Sequence, residues 1–487
     1  MTIMKSFSTQ SCWRLLFFLM IILSMSLTGC KTSDPTPTEA VSEGSTPTAQ
    51  PSATTDTPEV AVTQSTPVHL MVDEEDLAGI VVRFLHPWTG ALADTIEDIA
   101  ARFSLTNAWD IWVEVETPGG ESAMLEALEE NVTEGNVPGL IAAHPYELAL
   151  SDVDVFTINL SHYFENADWG LSPEAREDIP PVFLDQFKSE GALVALPVAP
   201  QATVIFYNQT WGGELGYAYA PKDAAAFQEQ SCEAVYANNE DDNVDNDGTG
   251  GWLVSFEPAV LASWYAAFDG DLPVDGMPSF DTEAGEAAFS TLKSTFDQGC
   301  IWIGRQPEPY FYFANRYALM YAGTLDQIPV QMGWMGEAEN GDTWTAMGFP
   351  GTAGETMLID GPGLMVTADS PENQMAAWLF ARYLLEPDVQ AELVRSGFTL
   401  PVRESAMEFL GEFSAAYPQW VQAVNMMDVV EPLPISREWG VGRFLLQDAM
   451  DQFLHMVIDP ASSISNELSS ILEELDAEII ELEGMAP

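Results

Sequence analysis

The chain has 487 residues, 47% of them hydrophobic and 11% aromatic, which is enough to bury a core in two or three globular units and excludes a protein disordered throughout. Lys and Arg total 16 against 75 Asp and Glu, a formal charge of -59 whose field repels phosphate backbones and anionic surfaces, so nucleic-acid binding is excluded. That charge does not choose among neutral or cationic small ligands, and the function has to come from the pattern along the chain.

Residues 1–29 read as a leader. Lys5 and Arg14 precede the apolar run Leu15 to Met25, which is too short to cross roughly 30 Å of hydrocarbon, and small residues lie just ahead of Cys30. The order Leu27-Thr28-Gly29-Cys30 resembles a bacterial lipobox. The resemblance implies that Cys30 becomes the first mature residue and carries a diacylglycerol, holding the chain at the outer face of the cytoplasmic membrane. Ordinary secretion with a cleaved leader is the alternative. From Lys31 to Thr66 the chain is Thr-, Pro- and Ser-rich with almost no large apolar side chains, so it cannot offset the entropy of folding. The lipidated Cys30 and this tether are assigned to residues 30–78. Of the four cysteines, Cys12 leaves with the leader and Cys30 is lipidated, so Cys232 and Cys300 remain outside the cell, where a disulfide between them is expected. Two separate buried thiols are the alternative.

The body starts at Gly79. Ile80–Leu85 is an apolar run but for Arg83, Ala91–Phe103 places Leu92, Ile96, Ile99 and Phe103 on one helical face, and Ile111–Glu116 alternates. A helix near Ser122–Asn131 and a short buried strand, Gly139–Ala143, complete β-α-β-α-β, the pattern of an open α/β sheet. Ligands of such sheets sit beyond the strand carboxyl ends, here His86-Pro87-Trp88-Thr89-Gly90 and His144-Pro145-Tyr146. Trp88, His144 and Tyr146 are therefore ligand candidates. Gly191–Asn208 is extended but broken by Pro197 and Pro200, and reads as a crossover between lobes rather than one central strand. Met357–Thr367, with Gly361-Pro362-Gly363, reads as a second crossover before a helix opened by Ser370-Pro371. The C-terminal helix carries Ile464, Leu468, Ile471, Leu472, Leu475, Ile479 and Leu482 as a core stripe.

Taken in order, the lipobox and tether, FLHPWTG, ALPVAPQATVIFYNQTW, ALMYAGTLDQIP, WTAMGFPG, IDGPGLMVT and GFTLPVR resemble the extracellular solute-binding proteins of ABC importers, in particular the maltose- and sugar-binding lipoproteins. The resemblance implies an α/β, two-lobed periplasmic-binding-protein-like fold (type II). Residues 79–200 with about 364–425 would form one lobe, and 201–363 with about 426–487 the other, around a hinged cleft. It implies capture of a sugar or oligosaccharide by a monomer, delivery to an ABC permease driven by its ATPase, and no catalytic residues. Position by position, it carries ligand contact to Gln201 of PVAPQ, Glu257 of SFEPAVL, and the pair Trp439 and Arg443, four apart on one helix face; Trp264, and Thr324 and Asp326 of GTLDQ, are further ligand candidates. Ala259 stands where the family's pattern has an aromatic platform and Leu325 where it has a tryptophan, which speaks against maltodextrin specificity. Each of Trp88, Trp264 and Trp439 can also be read as a packing residue.

Two other chemistries have some footing. Asn243, Asp245, Asp247 and Gly248 partly match a calcium loop, but Val254 stands where the bidentate Glu belongs, so a solvated acidic turn is the plainer account. A cleft glycoside hydrolase would need two carboxylates, and a surface-binding lipoprotein would need no cleft. The histidines His69, His86, His144, His162 and His455 form no HExxH motif, and no GxSxG or P-loop sequence stands out.

Overall fold

The computed structural model describes residues 70–151, 156–276, 278–305, 308–352, 354–458 and 464–484. The leader, Cys30 and the stretch Lys31–Thr66 lie outside them. Val72 and Leu77 are buried in the core, so the ordered body begins upstream of Gly79, inside the span assigned to the tether.

The first β-α-β-α-β run forms as its periodicities require. Strands β1 (Val81–Leu85), β2 (Trp112–Glu116) and β3 (Leu140–Ala143) are parallel, in the order β3-β1-β2. The helix Gly90–Thr106 buries Leu92, Ile96, Ile99 and Phe103. After a small hairpin of β4 (Lys188–Ser189) and β5 (Ala192–Leu193), the chain leaves this sheet.

The expected crossover is shorter than the sequence suggests. Pro197 and Pro200 stop the ladder up to residue 200, but β6 (Gln201–Asn208) is a full central strand of a second, eight-stranded sheet. The proline-free half of the segment pairs on both sides, with β9 (Met320–Thr324) and with β12 (Glu355–Asp360) and β10 (Trp344–Met347). The other members are β7 (Trp252–Leu253), β8 (Ile301–Trp302), β11 (Phe349–Pro350) and β14 (Val430–Pro432). Strand β13 (Gly363–Val366) returns to the first sheet, antiparallel to β3. The outgoing and returning crossovers run side by side, with Leu196 and Leu364 exchanging backbone hydrogen bonds of 2.9 and 2.8 Å.

The second sheet is buried on both faces, with the period-two alternation of a strand. Ala202, Val204 and Phe206 join the core cluster that includes the first sheet. Ile205 and Tyr207 join a second cluster with Trp252, Trp264, Trp439 and the C-terminal helix Ile464–Gly484, whose Leu468, Leu472, Leu475 and Ile479 are buried. Cys232 and Cys300 are joined by a disulfide, tying the helix Ala224–Glu240 to the start of β8.

Candidate functional site

The ends of β1, β3, β9 and β12 and the start of β6 converge on a cleft of about 670 Å³ between the two sheets. Trp88, Thr89, Glu121, His144, Gln201, Thr203, Thr324, Asp326, Asp360, Arg395, Ser396 and Phe398 are among its lining side chains. Its volume is that of a small-molecule site.

The electrostatic centre is His144. It caps the end of β3 and is buried, with Nε2 3.1 Å from Glu121 Oε1 and Nδ1 3.3 Å from Asp360 Oδ1. Burial alone pulls an imidazole down, but the Asp360 and Glu121 carboxylates outweigh it and raise His144 to about 10. The ring is therefore a cation at neutral pH. Burial works to raise Asp360 too, yet His144 and the Gly361 N–H, which donates to Oδ1 at 2.8 Å, hold it below the usual carboxylate range. The bond to His144 likewise lowers Glu121.

Local backbone places each partner. Glu121 opens the helix Glu121–Thr133 after Gly119 and Gly120, whose φ values of 101° and 116° only glycine adopts freely. Asp360 ends β12 and is followed by Gly361 at φ 153°, where a Cβ would come within 3.3 Å of Ala199 O on the adjacent crossover. Gln201 lies opposite, its amide nitrogen donating to Gly397 O at 2.9 Å while its carbonyl oxygen is buried without a partner among the described residues. Phe398 takes the left-handed C-cap of the helix Pro387–Gly397 at φ 52°, a conformation more usual for glycine, and is held there by Phe413 and Tyr417 at 5.0 and 4.7 Å.

The sequence-predicted residues divide. Trp88, His144, Gln201, Thr324 and Asp326 line the cleft. Tyr146 sits one layer behind, stacked on His144 at 4.9 Å and accepting a 2.9 Å hydrogen bond from Arg443. Arg443 lies over the Tyr146 ring and 4.0 Å from Glu147, whose carboxyl burial pushes up to about 7, so it supports the site rather than lining it. Trp264 and Trp439, expected at the ligand, are core residues. Trp264 is fully buried against Phe227, Trp252 and Phe349. Trp439 donates its backbone N–H to the Ser436 cap, which turns its ring into the second cluster. Glu257 is the exposed N-cap of the helix Pro258–Ala267 and is not among the lining residues; its neighbour Ala259 is. In the acidic loop, the Asn243 side-chain oxygen accepts from Asp245 N and Asp241 accepts from Asn243 N, so these groups fold the turn on itself. Among the described residues no group of three or more His, Cys, Asp and Glu side chains is placed to hold a metal.

Glu121, Asp360, Thr203, Arg395, Ser396 and Phe398 escaped the sequence reading. The signals were present for two of them: a Gly-Gly turn before Glu121, and the Asp-Gly-Pro at a crossover for Asp360.

The profile of the family described as "Bacterial extracellular solute-binding protein" matches residues 98–423, about two thirds of the chain. The chain belongs to that family. No curated protein sequence matches it. Among solved structures, the cyclic alpha-maltosyl-1,6-maltose binding protein from Arthrobacter globiformis is 16% identical, covering 82% of this chain and 99% of its own, with a TM-score of 0.67. The sugar-binding protein MalE from Xanthomonas citri is 19% identical over 84% and 100%, also at 0.67. UgpB from Mycobacterium tuberculosis, in complex with glycerophosphocholine, is 15% identical over 82% and 99%, at 0.62. At these identities the likeness establishes the fold of this solute-binding protein: α/β, in two lobes around a cleft. Among the described residues no helix is long and apolar enough to cross a membrane.

Proposed function

We propose that this solute-binding protein captures a sugar or oligosaccharide and delivers it to an ABC permease, working as a monomer held by the lipid on Cys30 to the outer face of the cytoplasmic membrane. One observation carries the ligand class: the half-buried Trp88 ring shares the cleft with acceptors at Gln201, Asp326 and Asp360. An aromatic face suits the apolar C–H patches of a pyranose, and carboxylate and amide oxygens suit its hydroxyls. The sugar-binding neighbours agree with this reading. A glycerophosphodiester, as in the UgpB complex, fits less well, because its phosphate would meet three carboxylates.

Residues 79–200 with about 364–425 act as one lobe and 201–363 with about 426–487 as the other. A ligand that touches Trp88 and Glu121 on one side and Thr324 and Asp326 on the other gains contacts only when the lobes approach. The closed population then rises with the ligand's preference for that state.

The test is a thermal-shift screen of the chain from residue 31 onward against mono- and oligosaccharides, glycerophosphodiesters, amino acids, polyamines and calcium. Stabilisation by saccharides is the expected result. Stabilisation by another class alone would reassign the ligand, and cleavage of an oligosaccharide during the assay would replace this reading with a hydrolase.

A further inference from the structure

The polar groups lining the cleft are unevenly committed. His144 has both ring nitrogens on carboxylates, the Gln201 amide nitrogen is bonded to Gly397 O, and the Thr324 hydroxyl is bonded to Asp326. The strong donors are thus largely taken by the protein. Apart from Arg395 and the hydroxyls of Thr89 and Thr203, what remains are acceptors. The Gln201 carbonyl oxygen is buried without a partner among the described residues, and an ionised carboxylate offers about four lone-pair sites. Asp360 uses them for His144 and the Gly361 N–H, and Asp326 for the Thr324 hydroxyl.

The charges lean the same way. Glu121, Asp326 and Asp360 face two cations, His144 and Arg395. His144 is committed to the first and third of these carboxylates. Arg395 is exposed, and its Nη1 donates to the Phe409 carbonyl at 3.1 Å. Among the described residues Asp326 has no cation as a hydrogen-bond or ion-pair partner, and the -59 charge of the whole chain surrounds the cleft with a field that concentrates cations.

We infer that the ligand is an amino sugar, or an oligosaccharide with an unsubstituted amine, whose ammonium group is bound at Asp326 while its ring lies in the cleft with Trp88. An ammonium brings three donors, no acceptor and a positive charge, which complements this lining better than a neutral hydroxyl can. This deepens the sugar reading and rests on it.

The experiment is calorimetric titration of the chain from residue 31 onward with three probes: the trisaccharide of glucosamine, its fully N-acetylated form, and maltotriose. It is run at mildly acidic pH, where the amine is protonated, and at two salt concentrations. The glucosamine trisaccharide should bind at least about tenfold more tightly than the other two, since a hydrogen bond to a charged group is worth about a decade or more in affinity. The advantage should shrink with added salt. In Asp326→Asn it should fall about tenfold; the residue is exposed, and an unchanged melt checks that the fold survives. Equal or tighter binding of the neutral trisaccharides would overturn the amine while leaving the sugar reading standing. Failure of all three to bind would remove the sugar reading and this inference with it.

Discussion

The tripeptides His86-Pro87-Trp88 and His144-Pro145-Tyr146 end neighbouring parallel strands, and both histidines are buried, yet the two imidazoles live in opposite chemistry. His86 lies between the rings of Phe84 and Trp88, 5.2 Å from each, and neither nitrogen has a hydrogen-bond partner among the described residues. Burial lowers it to about 4, so it stays neutral. His144 is clamped between two carboxylates and stays charged. The same local motif thus makes an apolar support under an aromatic ring at one strand end and an ionic centre at the other. What differs is the neighbour: Glu121 and Asp360 reach His144 from other segments, and among the described residues nothing comparable reaches His86.

The largest effect should come from breaking the ionic arm. His144→Gln leaves Asp360 and Glu121 without the cation they share, and because only His144 of the three is buried the cost should sit at the low end for a buried ion pair, about 3 kcal/mol. Chemical denaturation at neutral pH measures it, and a loss under about 1 kcal/mol would show that the cluster is not structurally coupled. The sign of the pH effect follows from a folded-state value raised above the unfolded one. His144 contributes stability fully below pH ~6.5, and that contribution is lost as pH rises through about 10. The wild-type alkaline limb should therefore be steeper than that of His144→Gln.

Trp88→Ala tests the other arm at its tip. The ring is half-buried at the cleft, so its loss should weaken binding of a stabilising saccharide by at least about tenfold. The same change at the fully buried Trp264 should cost about 3–5 kcal/mol of stability instead. If Trp88→Ala unfolds the chain and leaves no binding to measure, Trp88 is a core residue. A smaller effect is expected behind His144. Tyr146→Phe removes the acceptor of the Arg443 hydrogen bond, worth about 1.5 kcal/mol for a bond to a charged group, with the stacked ring retained. An unchanged melt would place the Arg443 contribution in its contact with the ring face.

The legibility of the site follows the reach of its interactions. Helix Gly90–Thr106 and strands β1 to β3 were readable because periodicity is local, and Pro197 and Pro200 marked where the chain leaves the first sheet. Cleft residues at strand ends, Trp88 and His144, were readable for the same reason. Trp264 and Trp439 were misread because a tryptophan's side depends on helix rotation. Val260–Ala267 is buried all round and gives no polar face to orient it, and the Ser436 cap fixes where Trp439 points. Asp360 and Glu121 were missed because their partner, His144, lies 216 and 23 residues away, and in a chain with 75 acids nothing local singles them out.

The smallest effect belongs to His86, and it has the opposite sign. A neutral imidazole carries one N–H donor and one acceptor, and both nitrogens are buried without partners among the described residues. Replacing an unsatisfied buried polar group with an apolar one of similar shape is neutral or stabilising, so His86→Phe should raise stability by about 1 kcal/mol with the contacts to Phe84 and Trp88 kept. The pH dependence separates this from simple repacking. Because His86 is depressed in the folded state, the unfolded chain takes up the proton first, and stability is lost as pH falls from ~6.5 to about 4. His86→Phe should flatten that part of the acid limb. A variant that loses stability at neutral pH with its acid limb unaltered would mean that His86 has a polar partner, and the contrast between the two histidines would fall.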